Sequence, residues 1–127
     1  MFKIDKDTKE ISITRGTTGT IGLKLKDKIT KEPMILKVDD IVRIKIFERK
    51  GCNRVLFEKD VKIKEETDML KIQLLSSETK IGELINKPKK YWYEIELNPD
   101  TEFTQSLVSY DEDGEKIFML YPEGGDK

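Results

Sequence analysis

From Ile11 to Leu25 the chain alternates apolar and polar residues: Ile11 and Ile13, then, past Arg15-Gly16, Ile21, Leu23 and Leu25. A period of two sends one set of side chains to a buried face and the next to water, the pattern of a half-buried β-strand. The same alternation returns in Val42 to Ile46, extended by Phe47, in Leu70 to Leu74 and in Tyr91 to Leu97. In the last of these Tyr91, Tyr93, Ile95 and Leu97 share one face, and Trp92, Glu94 and Glu96 the other. Turn signals separate the runs. Lys50-Gly51-Cys52-Asn53 predicts a hairpin into a strand from Val55 to Phe57, continued at Val61 and Ile63, and Asn98-Pro99-Asp100 is a second break. Asp111 to Gly114 joins a predicted last hairpin, Leu107–Tyr110 against Lys116–Leu120. Only Ser76 to Ile85 breaks the rhythm, where Ser77 is placed to cap a short helical turn with Ile81, Leu84 and Ile85 on one side. About seven or eight short, evenly spaced strands predict an all-β domain, a sandwich or a barrel.

At 127 residues the chain makes one domain over 1–127, with Pro122–Lys127 as a frayed tail. Charged residues form 39% of it, but 24 basic and 25 acidic side chains nearly cancel. They interleave along the strands, which marks solvated faces and guards strand edges. The lone Cys52 permits no intrachain disulfide, which suits an intracellular place of assembly. No stretch is long and apolar enough for a membrane helix, and the N-terminus turns charged too early for a signal peptide. A soluble, untargeted chain is expected.

Catalytic patterns are thin. The chain has no histidine, which removes Ser-His-Asp and Cys-His triads and the common zinc sets. Ser77-Glu78-Thr79-Lys80 fits S-x-x-K without the companion motifs of that class, and a capped turn explains it better. Asp111 and Asp113 before Gly114 resemble a calcium loop, but the register would put Leu120 at the last ligand position. Gly16, Gly19 and Gly22 lack the dinucleotide spacing and precede no helix. Lysines 24, 26, 28, 87, 89 and 90 are too mixed with acids for a nucleic-acid patch. No catalytic residue, cofactor or metal site is expected, nor a nucleic-acid or membrane partner.

Several segments together are similar to one family. Thr14-Arg15-Gly16-Thr17-Thr18 matches a TRGDT-like opening, with threonine where aspartate is common. Leu74 to Thr79 and Tyr91-Trp92-Tyr93-Glu94-Ile95-Glu96-Leu97 match its later turn and its Y-x-Y-(D/E)-I-x-L strand. The chain resembles the immunoglobulin-like N-terminal domain of the phage baseplate upper protein family. That resemblance implies an immunoglobulin-like antiparallel β-sandwich and a non-catalytic structural role in a bacteriophage particle, assembled in the host cytoplasm. Its partners would be baseplate, tail or capsid subunits, met in multiple copies; with one domain, capsid decoration and a tail accessory are both open positions. Interface anchors are then sought among Trp92, Phe103, Tyr110, Phe118 and Tyr121, with the N-terminal strand and the tail as further contacts. The alternative is a carbohydrate- or cell-wall-binding sandwich using an exposed Trp92 and Tyr110.

Overall fold

The computed structural model describes residues 2–5, 8–24, 30, 32–48, 54–102, 104–108 and 116–123. Among them run nine strands and no helix. In chain order these are β1 (Phe2–Ile4), β2 (Ile11–Thr14), β3 (Gly19–Lys24), β4 (Ile41–Phe47), β5 (Val55–Lys62), β6 (Met69–Leu74), β7 (Lys89–Leu97), β8 (Gln105–Val108) and β9 (Lys116–Tyr121). The domain is an all-β sandwich of unequal layers. One sheet has seven strands in the order β1-β2-β9-β7-β4-β5, with β8 also on β7; the other is the two-stranded ribbon β3-β6. In the large sheet β1 and β5 lie at opposite ends and do not close a barrel.

The alternation decides what faces inward. On β7 the odd residues Tyr91, Tyr93, Ile95 and Leu97 are buried, and on β4 the even residues Val42, Ile44 and Ile46. The ribbon returns the same pattern from the other side, with Ile21 and Leu23 on β3 and Leu70, Ile72 and Leu74 on β6 all buried. Both inner faces therefore supply one core, joined by Ile11, Ile13, Phe118 and Leu120. Leu36 closes one end, exchanging two backbone hydrogen bonds with Thr67 at 2.8 and 3.0 Å.

Two contacts fasten the ribbon along its sides. On the β5 side, Lys59 Nζ donates to the Gln73 carbonyl of β6 and to Glu78 Oε1, each at 2.7 Å. On the β1 side, Phe2 lies so close to Gly19 of β3 that a Cβ there would come within 2.4 Å of its ring. Tyr93 adds an inner tie: its hydroxyl donates to the Lys9 carbonyl and so fixes the loop between β1 and β2. Burial pushes the Tyr93 hydroxyl pKa up, keeping it a donor.

Two expectations are corrected. The segments β8 and β9 do not form a hairpin with each other. Both run antiparallel to β7 along the same edge, β9 opposite Lys89–Tyr93 and β8 opposite Ile95–Leu97. They act as one interrupted partner strand, because β7 is nine residues long and offers room for both. The stretch from Ser76 is a single turn, as expected, that does not run on into a helix; what is corrected is its cap. Glu78 and Thr79 donate their N–H groups to the Leu75 carbonyl, while the Glu78 carboxylate accepts from the Leu75 N–H at 2.8 Å. Glu78 is thus the residue that closes the turn; Ser77 and Leu84 are exposed. Burial works to raise the Glu78 pKa, but the bonds from Lys59 and the Leu75 N–H outweigh it and hold it below the usual carboxylate range.

Candidate interaction surface

The ribbon covers one face of the large sheet. The opposite face is built in cross-strand rows, since antiparallel partners directly opposite each other point to the same side. Trp92 stands opposite Phe47 on one side and Ile117 on the other, and Phe47 opposite Val55. This apolar row, Val55–Phe47–Trp92–Ile117, crosses four strands, and all four side chains are half-buried. Met119 and Tyr121, also half-buried, continue it along β9.

Two rows of charge border it toward the C-terminal end of β7. The nearer holds Glu58, Lys45 and Glu94; the farther holds Asp60, Arg43 and Glu96. Arg43 grips Asp60 with two bonds at 2.7 and 3.1 Å, reaches Asp100 at 2.9 Å and lies 3.3 Å from Glu58. Bonding to Asp60, then to Asp100, raises the Arg43 pKa, and the Arg43 bond holds the Asp60 carboxyl below its usual range. Lys45 sits 2.7 Å from Glu96 and 3.9 Å from Glu94; its pKa is raised, first by its bond to Glu96. Glu94 is the least compensated carboxylate of the set. Its partial burial, and then the charge of Glu96, push its pKa up. On the other side of the apolar row lie Lys90, Met119, Ser12 and Lys3, opposite one another across β7, β9, β2 and β1.

Trp92 and Tyr121 of the predicted anchors fall on this face. Phe118 does not: it is fully buried between Tyr91 of β7 and Ile11 of β2 and is a core side chain. The reason is parity, because Phe118 is three residues from Tyr121 and an odd step along a strand reverses the face. Phe103 and Tyr110 lie outside the described residues, as do Cys52, Asp111 and Asp113. Phe47, Ile117 and Met119 were missed as neighbours of Trp92, since strand pairing alone brings them together. Ser77 and Lys80 are both exposed on the turn beyond β6. Among the described residues no group of three or more His, Cys, Asp or Glu side chains is placed to hold a metal ion.

Compared with protein-family models, with curated proteins and with solved structures, the chain matches none.

Proposed function

We propose that this chain is a non-catalytic structural module of a bacteriophage particle, an immunoglobulin-like sandwich that works by protein–protein contact through the outer face of its large sheet. The observation that carries the contact role is the row Val55–Phe47–Trp92–Ile117 on the face turned away from the core. Among the described residues no element covers this face, and an uncovered antiparallel face is normally polar. Large apolar side chains at its centre, bordered by charges, match the anatomy of a contact surface, in which an apolar centre rich in Trp, Phe and Met sits inside a polar rim. The link to a phage particle rests on the sequence resemblance at Thr14–Thr18, Leu74–Thr79 and Tyr91–Leu97.

A carbohydrate-binding role needs an exposed tryptophan platform, whereas Trp92 is half-buried in a row of apolar neighbours. Immunogold labelling of purified particles and of separated heads and tails tests the proposal. Label on the head surface or at the tail tip supports it and gives the position. Particles free of label, with the protein present in the infected cell, refute it.

A further inference from the structure

The outer face is polarised about Trp92. Beyond it toward Leu97 are five carboxylates (Glu58, Asp60, Glu94, Glu96 and Asp100) with two cations, Arg43 and Lys45. Before it are Lys90 and Lys3, and among the described residues neither has an ion-pair partner. On the central strand the spacing is symmetric: Lys90 lies two residues before Trp92 and Glu94 two residues after it, all on one face.

We propose that this face seats a second copy of the chain, through a two-fold axis running along the row Val55–Phe47–Trp92–Ile117. An axis in that direction lays β7 antiparallel over its own copy, brings the two Trp92 rings together at the centre and places each Lys90 opposite the other copy's Glu94. A two-fold contact must be self-complementary, each patch meeting its own image. Because such an axis lays each strand over its own copy, the condition is met on β7 itself, where Lys90 and Glu94 lie at equal distances on either side of Trp92.

The dimensions agree. At about 3.4 Å per residue Lys90 and Glu94 stand about 7 Å on either side of the axis. Facing sheets cross at about 30°, which displaces such residues sideways by about 3.5 Å, within reach of a lysine stem. The seven strands of the sheet, 41 residues at about 3.4 Å by about 4.8 Å each, outline about 670 Å². That falls within the roughly 600–1,000 Å² per partner of a standard interface. The apolar row supplies the desolvated centre, and Glu94, whose ion pair at 3.9 Å is with a lysine bound more closely to Glu96, gains a second cation. This proposal deepens the contact role above by naming the occupant of the same face.

The test is sedimentation velocity on the full chain over a concentration series, with the fold of every variant checked by circular dichroism. Wild type forms a dimer. Lys90→Glu and Glu94→Lys each place like charges against like at two symmetric points and weaken it roughly a hundredfold. Mixed together, these two variants form a heterodimer. One then carries carboxylates at both positions and the other ammonium groups at both, so every facing pair has opposite charge. If Glu94→Lys loses its fold, Trp92→Arg replaces it, with a folded monomer expected. A wild type that stays monomeric up to its solubility limit overturns the proposal. So does a dimer insensitive to these substitutions, or two folded charge variants that fail to combine. Labelling of particles is an independent result: a monomer found in virions sinks only the dimer, and a dimer absent from virions sinks only the virion role.

Discussion

Lys59→Met isolates the contact that fastens the ribbon to the large sheet. The substitution keeps most of the apolar stem and removes only the ammonium, which donates to the Gln73 carbonyl and to Glu78 Oε1 at 2.7 Å each. Bonds involving a charged group contribute roughly 1.5–3 kcal/mol when well buried. Here the two side chains keep 23% and 24% of their exposure, so the lower end applies and the pair of bonds is expected to contribute about 2 kcal/mol. For a chain of this size that lowers Tm by about 8 °C. In urea the midpoint falls while the slope stays unchanged, because the surface exposed on unfolding is the same. The pH dependence separates the two bonds. Glu78 is held below its usual pKa, so its share of stability is full above the unfolded value near 4.3 and is lost as pH falls through the folded value. The difference between wild type and Lys59→Met should therefore shrink in acid, to about 1 kcal/mol from the carbonyl bond alone. A coupling of about 1 kcal/mol in the cycle with Glu78→Gln is the corresponding signature. A Lys59→Met protein as stable as wild type, or a deficit that does not change with acid, would refute the reasoning.

Gly19→Ala drives a methyl to 2.4 Å from the Phe2 ring and 3.1 Å from Ile13 Cδ1, and should destabilise by about 1–3 kcal/mol in urea unfolding. In a Phe2→Ala background most of that loss should disappear. Phe118→Ala empties a core position and is expected to cost about 3–5 kcal/mol, whereas Trp92→Ala, which loses a half-buried side chain and its cross-strand pairs with Phe47 and Ile117, should cost dilute protein less, about 1–2 kcal/mol, while abolishing self-association. Glu94→Gln should be neutral to stabilising at pH 7 on protein too dilute to associate. Its folded pKa is raised, so the charged form is penalised above that value; the advantage of glutamine should vanish as pH falls below the unfolded value near 4.3.

Strand parity was legible because it is local. The alternation in Tyr91–Leu97, Leu70–Leu74 and Val42–Ile46 is enough to say which side chains are buried. The last hairpin misled because turn chemistry between two alternating runs speaks of a reversal, while the length of β7 lets β8 and β9 share one of its edges. The turn after β6 misled differently. Ser77 has the chemistry of a cap, but the side chain that accepts the Leu75 N–H is Glu78, held there by Lys59 from another sheet.

The candidate face asks more of a sequence than parity. Trp92 is identifiable as an outward residue from its own strand, and the same count puts Ile117, Met119 and Tyr121 together and Phe118 opposite them. What no single strand carries is register. Phe47 meets Trp92 because Val42 pairs with Leu97, and Ile117 meets it because Lys89 pairs with Leu120. A slip of two residues between β4 and β7 would preserve every buried side chain's parity, yet would set Lys45 opposite Trp92 and split the apolar row. Core burial alone therefore does not account for the row; the register that makes it is a separate choice of this fold. The Lys59 and Phe2 contacts at the two sides of the sandwich are among the interactions that oppose such a slip.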